Sequence, residues 1–326
     1  MSDANSPRTP SIGQGSIRLG FSVRVYGTPD LPSHDGRAPY LEPNLSMSLA
    51  YLRDILHYLQ ANDIHMYRMH GDLLPGAMRL SEPDTRARIA GCQTELAALG
   101  ALAREWDIRL SFHPYGIALN TPDEDRFHRA LRYLETQAEL MEAMALGPEA
   151  VIVLHVGGVY DDHKTSRERF VRRYEALPPS VRGRLVLEND DHRFAFADVW
   201  AIHKACDIPL VFDNLHHLVL NPDRVPMREA VEDALDTWPA GISPKVHFSS
   251  PRTEMRRLPG SSRTKAPTWT EHSDFAHPFE FIRFLTLTGE FAPFDIMLES
   301  KARDLALLKL REDVAKFAPE LAPRLA

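Results

Sequence analysis

Residues 185–191 read LVLENDD and residues 210–217 read LVFDNLHH, and these two stretches decide the fold. Each begins as a short apolar run and stops at a carboxylate, Glu188 in the first and Asp213 in the second. A short run without polar alternation marks a strand buried on both faces, as in parallel sheets covered by helices. Taken as 185–188 and 210–213, they are joined by similar runs at 17–21, 65–69, 109–113, 150–155, 245–248 and 295–299. Most intervals carry helical periodicity, clearest at 49–60, 86–106, 127–144, 196–206, 227–236 and 305–317. Eight strands with crossover helices predict an α/β chain folded as a TIM (β/α)8 barrel.

The chain has 326 residues, 44% of them hydrophobic, which suits one large barrel. The expected division is a disordered N-terminal tail over 1–16 and a single barrel domain over 17–326. The tail, MSDANSPRTPSIGQGS, is polar and has no secretory apolar stretch. No apolar run approaches the roughly 20 residues that cross a bilayer, so no membrane is expected. Cys92 and Cys206 lie far from any Cys-x-x-Cys spacing and read as buried thiols, which fits a reducing cytoplasm. Nothing in the sequence indicates an obligate protein partner. The net charge of −7 argues against a generic basic duplex-binding surface, although bound cations would offset a carboxylate-rich metal site.

The strand ends carry the chemistry. SFHP stops at His113, VIVLHVGG places His155, and the opening stretches give Glu188, Asp213 and His216. PKVHFSS gives His247, EHSDF gives His272 and DIMLESK gives Glu299. In a parallel barrel, positions at the C-terminal ends of strands converge on one face, where active sites of this fold sit. Carboxylates gathered there repel one another and lose hydration unless metal ions compensate them. The mixed imidazole and carboxylate set suits Zn²⁺, Mn²⁺ or Fe²⁺, and Glu188 is placed to bridge two ions. Asn189 and Asn214, each beside a proposed ligand, are candidates for orienting a substrate phosphate. The segment 249–270 reads as a long loop with five cations, Arg252, Arg256, Arg257, Arg263 and Lys265. Arg256 and Arg257 are the expected contacts to a nucleic-acid backbone. A second irregular segment, 26–43, follows the first strand and belongs at the same mouth.

The ordered set IRLGFS, YRMHGDLLP, RLSFHP, VLHVGGVYDD, LVLENDD, VFDNLHH, PKVHFSS, HSDF and DIMLESK resembles the motifs of the UV damage endonucleases, from about residue 17 to residue 301. The resemblance implies a barrel similar to the endonuclease IV type of apurinic endonuclease. It also implies nicking of a phosphodiester 5′ to a damaged base, with two or three divalent ions, Mn²⁺ first among them. On this resemblance His113, His155 and Glu188 hold one ion, Glu188, Asp213, His247 and Glu299 a second, and His216 and His272 a third. Glu188, Glu299, His216 and His272 then carry the catalysis, together with Lys245, which falls where the family has a modified lysine near the metals.

Departures from the family pattern concern lesion recognition. Its Gly-Gln-Tyr probe after the third strand is Tyr115-Gly116-Ile117 here, leaving Tyr115 as the candidate wedge. Phe21 stands at the family's Tyr position, an expected Asn is missing from SVRVYG, and His70-Gly71-Asp72 replaces the usual residues before the LIP-like tripeptide. Two readings follow. The first is a metal-dependent repair endonuclease with damaged DNA as its partner. The second is a metal-dependent barrel enzyme, of isomerase, epimerase or biosynthetic type, acting on a small molecule after losing duplex recognition.

Overall fold

The computed structural model describes residues 16–258 and 260–325. The expected tail therefore lies outside the described residues, apart from Ser16. Eight parallel strands form the centre: β1 (Leu19–Ser22), β2 (Met66–Arg68), β3 (Arg109–Ser111), β4 (Ile152–His155), β5 (Leu185–Glu188), β6 (Leu210–Val211), β7 (Lys245–Phe248) and β10 (Asp295–Leu298). Ladders run β3-β2-β1-β10-β7 and β4-β5-β6. Parallel bridges at Phe112↔Ile152 and Asp213↔His247 join the two sets at both seams and close the ring.

Helices wrap the ring: α1 (Leu45–Ala61), α2 (Glu82–Ala90), α3 (Gln93–Glu105), α4 (Glu124–Ala143), α5 (His163–Glu175), α6 (Pro179–Arg182), α7 (Phe196–Cys206), α8 (Asn214–Val219), α9 (Met227–Asp236), α10 (Pro278–Leu287) and α11 (Arg303–Phe317). Many start on side-chain caps that satisfy the first free N–H groups. Asn44 accepts from Met47, Asp123 from Arg126 and Asp162 from Thr165. The single helix expected over 86–106 is two, because the chain turns at Gly91 and Cys92 between α2 and α3.

Side chains alternate across a strand with a period of two. On β4 to β6 this puts Val151, Val153 and then His155 on one face, Val186 and then Glu188, and Val211 and then Asp213. These valines pack together with Trp238, apart from the larger cluster between ring and helices. They line the inside of the ring, and each inward row ends on a residue with a metal-binding side chain. Elsewhere the inward rows are charged at their lower ends too. Arg109 pairs with Asp295 at 2.7 Å in the floor, and Lys245 stands beside Asp295 in register. At Gly20 a Cβ would lie 2.8 Å from the Met66 carbonyl oxygen, so the close approach of β1 and β2 requires glycine there.

The segment 249–270, expected as a loop, contains an antiparallel ribbon, β8 (Arg256–Arg257) paired with β9 (Thr264–Lys265). Its base is tied by Arg252 N–H donating to the Glu271 carbonyl and Ser273 N–H to that of Ser250.

Candidate metal centre at the barrel mouth

The inward rows deliver their last side chains to one point, and Glu188 occupies it. Its side chain is fully buried. His113 Nε2 lies 2.9 Å and His155 Nε2 3.5 Å from Oε2, while His247 Nδ1 lies 2.7 Å and His216 Nδ1 3.6 Å from Oε1. These imidazoles come from four different segments of the mouth. A chain of ring neighbours runs through His247, His113, His155, His216 and His272, with centroids 5.1 to 5.8 Å apart. His272 Nε2 faces Glu299 Oε2 at 3.7 Å.

Local sequence explains the placement of His216. Asp213 is the N-cap of α8, and its carboxylate accepts from the His216 N–H at 2.8 Å. That turn brings the imidazole of the third helical residue back over its own cap, 3.8 Å from the Asp213 carboxylate. The His216 ring is then fixed by a 2.9 Å contact between Nδ1 and the Asn189 carbonyl.

Two groups have donor atoms close enough to share an ion: His113, Glu188, His247 and Glu299, and Glu188, Asp213 and His216, all within 4.8 Å of one another in each group. Glu188 belongs to both. This gathering differs from the partition the resemblance implies, since His113 joins His247 and Glu299, and Asp213 joins His216. At this point Asp213 Oδ2 is buried without a hydrogen-bond partner, and the rings of His113, His155 and His272 turn their Nε2 atoms toward the carboxylates. A buried orphan of this kind is costly, and a cation accepts electron pairs from the carboxylate oxygens and imidazole nitrogens alike. The donor set therefore fits divalent ions.

Charge follows the same logic. Burial works against the Glu188 carboxylate, but His247, His155 and His113 hold it well below the usual range. Burial, with Glu188 and Glu299 nearby, pushes Asp213 up to about 7. His216 is desolvated, yet Asp213, Glu188 and Glu299 raise it to about 9. Burial keeps His247 and His272 neutral down to about 4 and lowers His113.

A stability prediction follows for chelator-treated protein. The Asp213–His216 pair keeps a proton that the unfolded chain gives up earlier, so its contribution is present at low pH and lost as pH rises through about 9. The neutral His113, His247 and His272 act oppositely, and their contribution is lost as pH falls below the ordinary imidazole value of about 6.5. Thermal melts in EDTA are expected to peak near neutral pH and fall by several degrees by pH 9, with Mn²⁺ flattening the profile. A pH-independent melt in EDTA would contradict this.

The remaining expected residues divide. Lys245 is fully buried one layer below His247, and its Nζ has no hydrogen-bond partner among the described residues. Burial, with Arg109 and Arg68 beside it, drives its ammonium well below the usual range. Asn189 and Asn214 need correction as substrate contacts. Asn189 exchanges hydrogen bonds with the Asp213 backbone, and Asn214 does the same with Ser249. Their amides brace strand ends with one donated and one accepted bond each, and both side chains are buried. Tyr115 is fully exposed at the tip of the loop after β3. Arg256 and Arg257 are exposed on the ribbon, but Arg252 is buried against Asp274, and Glu271 draws in Lys265 and Arg256. Arg68 is the residue that a search limited to His, Asp and Glu passes over. It ends the inward row of β2, its Nη1 lies 2.6 Å from Glu299, and its Nη2 donates to His247 Nε2 at 2.9 Å.

The UV-endonuclease UvdE family profile matches residues 35–321. A UV DNA damage endonuclease of Bacillus cereus is 32% identical over 276 residues, which are 83% of this chain and 82% of that protein. The solved structure of SacUVDE superposes with a TM-score of 0.77 at 24% identity, covering 92% of this chain and 98% of the other. Endonuclease IV from Thermus thermophilus gives 0.54 at 12% identity, covering 92% and 99%, and shares the barrel fold. No helix among the described residues is long and apolar enough to cross a membrane.

Proposed function

The chain belongs to the UV-endonuclease UvdE family, and from that membership we propose that the barrel mouth is the active centre of a metal-dependent DNA repair endonuclease cutting a phosphodiester 5′ to a damaged nucleotide. One observation carries the metal reading: a fully buried Glu188 with four imidazoles within 3.6 Å. Glu188 would help hold two ions, one together with His113, His247 and Glu299 and the other together with Asp213 and His216. His155 and His272 flank these positions, beside Glu188 and Glu299, and would be the residues to hold a third ion. Mn²⁺ is the first choice, then Zn²⁺ or Fe²⁺.

When bound, such ions act as Lewis acids and lower the pKa of water from about 15.7 toward about 7. The chain supplies the rest by positioning. Asp213 and the Asn189 carbonyl hold His216 in one orientation, and Arg68 does the same for His247 and Glu299. Lys245 stands one layer beneath His247, where burial works against its charged form. The exposed ring of Tyr115 enters the duplex, and Arg256 and Arg257 contact its backbone. Neither cysteine lies at the mouth, and burial raises the Cys206 thiol to about 11, so no thiolate nucleophile is involved.

The deciding experiment is a nicking assay with end-group mapping on oligonucleotides bearing several lesions. The expected products carry a 3′-hydroxyl and a 5′-phosphate. If no oligonucleotide is cut with Mn²⁺, Zn²⁺ or Fe²⁺ while a phosphorylated sugar is turned over, the small-molecule reading replaces this one. Within the same assay, Arg256→Gln with Arg257→Gln is expected to weaken binding and reduce its salt dependence, leaving the single-turnover rate at saturation little changed. His272→Ala is expected to do the reverse. A fall in the saturated rate for the arginine pair would move the ribbon into the chemistry.

A further inference from the structure

Three cations crowd one sector of the mouth, at the ends of β2, β1 and β10. Arg68 ends β2, and its side chain is nine-tenths buried, with Nε lacking a partner. Arg303 opens α11 and donates through Nη1 to the hydroxyl of Ser22, the last residue of β1. Its own Nε is also buried without a partner. Ser22 and Arg68 stand in register on adjacent strands, so both guanidiniums lie over the same side of the ring. Lys301 is exposed on the rim between Glu299 and Arg303, and its N–H donates to the carbonyl of Ser273, the neighbour of His272. Arg303 holds this position with a left-handed backbone, φ 56°.

The carboxylates nearby do not balance them. Asp304 is spent on the N–H groups of Tyr26 and Gly27 and on the Tyr58 hydroxyl. Glu299 pairs with Arg68 and is also a proposed metal ligand. Once it serves an ion, Arg68 loses its paired counter-charge while Lys301 and Arg303 stand beside it, and a buried unpaired cation is expensive. Arg303 has one terminal nitrogen on Ser22 and its Nε unpartnered, and a planar guanidinium with N–H groups to give matches a phosphate oxygen pair, with the Arg68 charge beside it.

We propose that Arg68, Lys301 and Arg303 form an oxyanion subsite that takes a phosphodiester group neighbouring the one that is cut. The source of that phosphate rests on the endonuclease reading; the subsite itself rests on the cations.

The test uses metal-loaded protein and duplexes whose scissile linkage is uncleavable, with a neutral methylphosphonate placed in turn at each neighbouring linkage. For wild type, one position is expected to cost several-fold in affinity. In Arg303→Gln that loss disappears, the other positions behave as in wild type, the salt-dependence slope falls by about 0.9, and metal content is unchanged. Lys301→Gln, at an exposed position, is expected to give the same pattern and serves if Arg303→Gln does not fold. If both variants keep the wild-type slope and scan, the subsite is wrong while the endonuclease reading stands. If wild type binds no duplex but is stabilised by inorganic phosphate, and Lys301→Gln abolishes that, the subsite holds with a phosphate monoester as its source and the endonuclease reading fails.

Discussion

Glu188→Ala is expected to strip more than one equivalent of divalent metal from each chain and to lower nicking by about a thousandfold or more. The reason is membership of both donor groups: Glu188 shares one with His113, His247 and Glu299 and the other with Asp213 and His216. Losing it leaves each group short of a buried anionic oxygen. Metal ions contribute several kcal/mol of charge stabilisation to a transition state, and about 4 kcal/mol corresponds to about a thousandfold in rate. Asp213→Ala and Glu299→Ala are the internal controls, since each belongs to one group. They are expected to remove about one equivalent each. Elemental analysis of the three variants, purified without chelator, separates the cases. If Glu188→Ala retains the wild-type metal content, or loses no more than Asp213→Ala, the bridge is wrong. Circular dichroism establishes that the variants are folded before the counts are compared.

The strands and their polar ends were legible because they obey local rules. LVLENDD and LVFDNLHH stop where the inner face of a strand meets solvent, and the period of two that ends on Glu188 and Asp213 lies in the sequence itself. What pairs with what was not legible. The sharing of donors depends on the stagger of the ring, which brings His247 of β7 to 2.7 Å from Glu188 of β5, across β6. Sequence order gives no measure of that. Arg68 was missed for a related reason: a cation on a short strand reads as a flank, and its partners Glu299 and His247 lie 231 and 179 positions away. Asn189 and Asn214 misled in the other direction. An amide beside a ligand has the chemistry to hold substrate, but it equally satisfies a neighbouring strand end, and here the backbone took both. The ribbon within 249–270 escaped because its paired segments, Arg256–Arg257 and Thr264–Lys265, have no apolar alternation to announce them.

Tyr115→Ala is expected to lower affinity and nicking on a duplex with an abasic site by about 10- to 100-fold, without changing metal content. Stacking of a base on an aromatic ring contributes about 1–3 kcal/mol, which sets that range. The loop after β3 offers little else. Gly116 has no side chain and sits at φ 73°, a left-handed turn that leaves the neighbouring ring standing out, with open space around its own Cα. Ile117, where the resemblance leads one to expect the second probe residue, is only 7% exposed and packs in the core. One exposed ring thus stands where the resemblance leads one to expect a pair that hydrogen-bonds as well as stacks. Extruding a nucleotide costs a few kcal/mol, least where the base is missing or already unpaired. A single ring offsets part of that cost for any distorted site and adds no reading of which distortion is present. Discrimination between UV-irradiated and intact duplex is therefore expected to be weak in wild type, with abasic and single-stranded sites preferred. The Tyr115→Ala penalty is expected to shrink on single strands, where no stack has to be opened. Selective nicking beside pyrimidine dimers that survives Tyr115→Ala would place lesion reading in another loop, the 26–43 segment or the basic ribbon, and would overturn this account.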